Sequence, residues 1–164
     1  MTSTLEIFDF NTSSDLRNWH IVDDVVMGGG SNGQFRLNSD GHGEFSGRIS
    51  LDNNGGFSSV QYRFSKIKSA DYTMIRIRIK GDGKRYQLRV KSKSTEYFSY
   101  IAYFTTNGAW QTVDILFHEM YPSYRGKKLD MPNYPGETME EIAFLIANKK
   151  AEDFKLEIDR IELR

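Results

Sequence analysis

The sequence predicts an all-β fold, a jelly-roll β-sandwich with few short helices, and three observations carry that prediction. Apolar and polar residues alternate with period two over much of the chain, as in YTMIRIRIK at residues 72–80. Clusters of Gly, Asn, Asp and Ser interrupt the alternation at intervals of roughly 8–12 residues, the spacing of a sandwich or barrel. Amphipathic runs of helical period are scarce.

The first strand candidates, in chain order, are residues 5–10, 19–24, 34–38, 43–51 and 57–64. In residues 72–80, Ile75, Ile77 and Ile79 share one face, and Arg76, Arg78 and Lys80 the other. RYQLRVKSK at residues 85–93 repeats the pattern, with Leu88 and Val90 set against Gln87, Arg89 and Lys91. Gly81, Asp82 and Gly83 lie between these two runs, which are expected to pair as a hairpin. Further strands are expected at residues 97–105, 110–117, 141–147 and 154–161. Residues 13–18 and 137–141 are expected to form a turn or two of helix. Residues 118–136, which hold all three prolines, are expected to be a long irregular segment.

The length, 164 residues, suits one domain spanning residues 1–164. Lys+Arg and Asp+Glu both number 22, so there is no global charge signature for nucleic acid or anionic lipid. Without cysteine there are no disulfides, which fits a reducing compartment. The opening MTSTLEIFDF has neither a basic n-region nor a long apolar h-region, and no run is long and apolar enough to span a bilayer. A cytoplasmic domain without membrane insertion is the expectation.

The stretch VDDVVMGGGSNGQF contains a literal G-x-G-x-x-G at Gly28, Gly30 and Gly33. A dinucleotide site needs a helix after those glycines, and here Gly41, Gly43 and Gly47 break any helical pattern. A calcium site between loops is a second reading, since loop carboxylates are the right ligand type. Asp23 and Asp24 are adjacent, however, so on a strand they point to opposite faces. The favoured reading is a shaped turn. Its glycines supply φ > 0 or let another backbone approach closely, Val25, Val26 and Met27 plug into the core, and the acids cap backbone N–H groups or pair with an arginine.

The motif D-D-V-V-M-G-G-x-S at Asp23–Ser31 resembles the hallmark of the complex I intermediate-associated protein 30 family. Other blocks follow in the family's order: IFDF and Trp19 before the hallmark, then GEFSGRISLDNNGGFSSV, IRIKGDGKRYQLRV, Trp110 to Val113, Tyr124-Arg125-Gly126 and the terminal LEIDRIEL. The resemblance implies a galactose-binding-like jelly roll. It also implies a non-catalytic assembly-factor role, established for mitochondrial members, whose partners would be respiratory complex I subunits or assembly intermediates. On this reading the residues that bind a partner or shape its loops are Asp23, Asp24, Met27, Gly28, Gly29, Ser31, Asn53, Asn54, Gly55, Gly56, Phe57, Arg125 and Gly126.

Arg76, Arg78, Arg89 and Lys91 are expected on one outer face of the hairpin, facing Glu157 and Asp159 or solvent, or else an anion or an acidic protein surface. In YFSYIAYF (residues 97–104), Tyr97 and Tyr103 take one face and Phe98, Tyr100 and Phe104 the other. One set is core, and segment 118–136 is expected to cover the other; an uncovered set would be a sugar-stacking platform or a protein hot spot. His20, His42 and His118 lack metal-ligand spacing, and no G-x-S-x-G elbow or cysteine nucleophile occurs. The expectation is therefore a protein-binding domain that is not an enzyme and uses no cofactor or metal. The alternative is a module that binds carbohydrate or another small ligand.

Overall fold

The structure, a computed structural model, describes residues 3–24, 29–52 and 55–164. The strands among them are β1 (Leu5–Asp9), β2 (Trp19–Asp23), β3 (Asn32–Leu37), β4 (Gly43–Ile49), β5 (Ser58–Lys68), β6 (Met74–Lys80), β7 (Arg85–Lys91), β8 (Ser99–Thr105), β9 (Trp110–Leu116), β10 (Tyr121–Tyr124), β11 (Lys127–Lys128), β12 (Thr138–Ile146) and β13 (Glu152–Leu163). They form two antiparallel sheets. One runs β3-β4-β13-β6-β9, with β1 also paired to β13, and the other runs β11-β10-β8-β7-β12-β5-β2. The β-sandwich expectation holds.

The core lies between the sheets. Ile75, Ile77 and Ile79 of β6 and Leu156, Ile158 and Ile161 of β13 face Tyr86, Leu88 and Val90 of β7 and Ile142, Phe144 and Ile146 of β12. Each such aliphatic side chain contributes roughly 1.5–3 kcal/mol on burial. Trp19 closes one edge, stacked between Phe35 at 4.8 Å and Tyr62 at 4.7 Å.

The expected β6–β7 hairpin does not form. β6 pairs with β13 and β9, and β7 with β8 and β12, in the other sheet. Period-two alternation shows which face of a strand is buried but does not name its partner. The Gly81–Gly83 turn makes the crossing. Asp82 there accepts hydrogen bonds from the Tyr86 hydroxyl and the Lys155 N–H, both at 2.9 Å, which ties the corner to both sheets.

Neither expected helix forms. The side chains of Asn11, Ser14 and Asp15 bond nearby backbone N–H groups and hold residues 11–17 in turns. Thr138 begins β12 opposite Lys68 of β5. Segment 118–136 is less irregular than expected: β10 and β11 extend the larger sheet, joined by Arg125 and Gly126 at φ of 49° and 79°. Two positive φ values in a two-residue loop match the twist of a tight hairpin. No helix among the described residues is long and apolar enough to cross a membrane.

Candidate functional site

Asp23 and Asp24 diverge from the end of β2. Asp23 accepts the Gly33 N–H at 2.7 Å and the Ser58 hydroxyl at 2.5 Å, joining the starts of β3 and β5. Asp24 is wholly buried. It accepts the Ser31 N–H at 2.9 Å, the Ser31 hydroxyl at 2.5 Å, the Gly56 N–H at 2.5 Å and the Phe57 N–H at 3.2 Å. Burial pushes this carboxyl's pKa up, but the hydrogen bonds from Ser31, Gly56 and Phe57 outweigh that effect and hold it below the usual carboxylate range. Three of these bonds converge on Oδ2 and one falls on Oδ1.

The glycines around Asp24 are there for close approach. A side chain at Gly29 or Gly55 would run into the Asp24 carboxyl. Asp24 thus fastens residues 29–31 to residues 55–57, and the two loops rise from one staple. Met27, Gly28, Asn53 and Asn54, along with Val25 and Val26 of the expected core plug, lie outside the described residues. Arg125 and Gly126 do not join this cluster. They cap β10 and β11, at the opposite edge of the larger sheet from β2. Six strand spacings separate those edges, roughly 29 Å.

The four expected face-sharing cations are split between the sheets. Arg76 and Arg78 lie on the outside of the smaller sheet, where most bases are paired with acids, although Lys80 and Arg160 form no ion pair among the described residues. Arg76 pairs with Asp114 at 2.7 Å, Arg78 with Asp159 at 3.6 Å, Arg36 with Glu44 at 2.8 Å and Arg48 with Asp153 at 3.0 Å. Of the acids expected opposite the arginines, Asp159 fills that role, whereas Glu157 accepts from Asn38 at 2.9 Å.

The outside of the larger sheet differs in composition and charge. Strand register sets its residues in cross-strand rows. One row reads Val22, Ser59, Leu145, Gln87 and Tyr103; the next reads His20, Gln61, Ala143, Arg89, Ile101 and Tyr121. A third holds Arg63, Glu141 and Lys91 on β5, β12 and β7, and Ser99, Ser123 and Lys128 pair in line on β8, β10 and β11. Ile101, Ala143 and Leu145 lie outside the inter-sheet core and are nonetheless buried, because long neighbours such as Arg89 flank them. Arg89 donates through Nε to Gln87 Oε1 at 2.9 Å, and Gln87 Nε2 donates to the Tyr103 hydroxyl at 3.4 Å. Arg85 lies over the Tyr103 ring at 4.2 Å and Lys128 over Tyr121 at 5.5 Å. Glu141 is the acid in these rows, and Arg63 holds it at 2.8 Å. Arg85, Arg89, Lys91 and Lys128 have no carboxylate partner among the described residues.

In the aromatic run, Phe98, Tyr100 and Phe104 are core, while Tyr103 stays 42% exposed. Segment 118–136 therefore adds strands at the sheet edge instead of covering the face. Tyr97 precedes β8 and packs against Tyr124 at 5.1 Å, apart from Tyr103. The fold also gathers Asp40, His42 and Glu157, whose ligand-type atoms lie within 4.8 Å of one another. Sequence spacing does not show this group, because Glu157 comes from a distant strand.

The family model for complex I intermediate-associated protein 30 matches residues 8–158. Among solved structures, the chain is similar to the family 11 carbohydrate-binding module of the cellulosomal cellulase Lic26A-Cel5E of Clostridium thermocellum. The TM-score is 0.71 at 19% identity, over 99% of this chain and 95% of that one. A family 11 module from Clostridium thermocellum in complex with a β-1,3-1,4-mixed-linked tetrasaccharide matches with a TM-score of 0.68 at 19% identity, over 98% and 94%. A family 29 carbohydrate-binding module matches at 0.56 and 11% identity, over 99% and 91%. At these identities the likeness is one of fold, a β-sandwich of the galactose-binding-like type. The family match covers most of the sequence, from the first strand into the last, and the chain belongs to the complex I intermediate-associated protein 30 family.

Proposed function

We propose that this chain is a non-catalytic protein-binding domain that acts as an assembly factor on a respiratory complex I intermediate. Its recognition surface is the outer face of the larger sheet, with the two Asp24-stapled loops as a second contact. The observation that carries this reading is the contrast between the two outer faces. On the smaller sheet, Arg36, Arg48, Arg76 and Arg78 are each paired with an acid, with Lys80 and Arg160 the exceptions. On the larger, cations and tyrosines stand over apolar residues without acids to match them. Uncompensated charge beside aromatic and apolar groups is the composition of a protein–protein hot spot. The family's description supplies the class of partner. The buried hydroxyl–carboxylate pairs, Ser31–Asp24 and Ser58–Asp23, are links between strands and loops, with no histidine in either.

Affinity purification of the tagged chain from its native cells in mild detergent tests the reading. Complex I subunits should accompany the wild type and a variant with Arg76→Gln and Arg78→Gln. They should be lost from a folded variant with Arg85→Glu and Tyr103→Ser. Background proteins alone with the wild type would refute it. A second reading, a saccharide-binding module, is favoured by Tyr103 and Tyr121 beside the hydrogen-bonding Gln87 on a fold shared with carbohydrate-binding modules. A rise in Tm with a neutral mixed-linkage glucan, lost in Tyr103→Ser, would support it.

A further inference from the structure

Arg89 sits at the centre of the larger sheet's outer face, between Ile101 of β8 and Ala143 of β12. Its Nε is held by Gln87, and its two terminal nitrogens donate to no group among the described residues. The neighbouring acid, Glu141, lies one row away and is taken by Arg63. Burial disfavours the charged guanidinium and lowers its pKa from the ordinary value, though arginine stays charged at any physiological pH. A partly buried guanidinium with a fixed Nε and two idle nitrogens is poorly compensated by the protein itself. The fork of a guanidinium matches a carboxylate, which can accept from both nitrogens at once.

Resting on the protein-binding reading above, we propose that Arg89 is the anchor for a carboxylate on an extended acidic segment of the partner polypeptide. The segment crosses the strands along the row Ala143–Arg89–Ile101–Tyr121. Two observations favour a polypeptide over an acidic saccharide. The Tyr103 and Tyr121 rings each already have a cation over them, Arg85 and Lys128, so a pyranose would have to displace a charge to stack there. The positions flanking Arg89, Ile101 and Ala143, are apolar and buried, and their side chains offer no hydrogen-bonding group to the hydroxyls of a saccharide. Arg85 and Lys128 add long-range attraction at the two ends of the tyrosine pair.

The test uses the full chain and a fluorescently labelled oligoglutamate of about ten residues, read by anisotropy at low salt. The wild type should bind it with an affinity that falls as salt rises. Arg89→Gln should weaken binding at least tenfold, and Arg85→Gln should weaken it less. Arg48→Gln, on the other sheet, should leave it unchanged. Circular dichroism should show Arg89→Gln folded as the wild type is, so that a loss of binding reports the guanidinium. Equal binding by wild type and Arg89→Gln, or no binding by either, overturns the proposal. Binding of oligogalacturonate through Arg89 without binding of oligoglutamate also overturns it, in favour of an acidic saccharide. In the affinity purification, complex I subunits retained by Arg89→Gln would end the Arg89 proposal and leave the protein-binding reading standing. Their absence with the wild type would end the latter.

Discussion

Replacing Asp24 with asparagine isolates the charge at the centre of the loop staple. The carboxylate is itself buried and accepts four hydrogen bonds, two from the buried Ser31 and two from the half-buried Gly56 and Phe57. A carboxamide keeps the shape but turns one oxygen into a donor. With its oxygen in the crowded position it still accepts from the Ser31 hydroxyl, Gly56 and Phe57, while its amide faces the Ser31 N–H. One buried donor left unmade costs about 1–3 kcal/mol. The three surviving bonds fall from charge-assisted to neutral, roughly half the strength. A total of about 3 kcal/mol follows, which for a chain of this size lowers Tm by about 9 °C. The pH dependence has a definite sign. The folded-state pKa of Asp24 lies below its unfolded value, so its stabilisation is fully present above the unfolded pKa of roughly 3.9 and fades as pH falls through the folded value. Urea unfolding of wild type and Asp24→Asn at pH 7, 5 and 3 is the assay. The gap should be full at pH 7 and 5 and narrower at pH 3. A gap near zero at pH 7, or one of constant size down to pH 3, would refute the claim that the ionised carboxylate holds the loops.

Other perturbations follow from the same geometry. Gly55→Ala drives a methyl group into the Asp24 carboxyl, whereas Gly83→Ala meets nothing within 4 Å and is strained only by its φ of 86°. In urea titrations Gly55→Ala should cost about 2–3 kcal/mol and Gly83→Ala about 1 kcal/mol. Burial pushes the Tyr134 hydroxyl up to about 12 and the Tyr86 hydroxyl higher still. Both raised values favour the neutral phenol in the folded state, so their stabilisation is present below roughly pH 10 and lost above it. Absorbance at 295 nm should therefore show these two tyrosines ionising late, together with alkaline unfolding. Arg76→Gln breaks a partly exposed pair with Asp114 and should change stability by less than about 1 kcal/mol, with no effect on partner capture.

What the sequence revealed was the content of each strand, and what it concealed was strand pairing. Alternation in residues 72–80 and 85–91 correctly placed Ile75, Ile77, Ile79, Leu88 and Val90 inward. It could not show that Gly81–Gly83 crosses between sheets, because that depends on Tyr86, Lys155 and Thr106 converging on the turn. The same error grouped Arg76 and Arg78 with Arg89 and Lys91. Asp114, which neutralises Arg76, is 38 residues away and shares no local pattern with it. The β10–β11 hairpin was missed because its turn begins with arginine at positive φ, where a glycine or asparagine would have been the signal. The roles of Asp23 and Asp24, by contrast, were legible as far as their divergence, since adjacent strand residues must face opposite ways.

Asp24 and Ser31 of the hallmark that identifies the family are directed inward. Asp24 is enclosed, Gly29 and Gly55 are fixed by its carboxyl, and Ser31 bridges to the backbone of Ser50. A motif made of buried hydrogen bonds marks a way of holding two loops, and chains with different partners can share it. Choice of partner has to come from groups that reach the surface without a companion in their own chain. We assign that role, on the reading proposed above, to Arg85, Arg89 and Lys128 with Tyr103 and Tyr121, all on one face of one sheet. None of them lies in the D-D-V-V-M-G-G-x-S hallmark. Exchanging the outward residues of β7 and β8 between two members of the family, while leaving Asp24 and its glycines untouched, should therefore exchange their partners and preserve their stability. If partner choice instead followed the stapled loops when those were exchanged, the loops would be the recognition element and the sheet face a bystander.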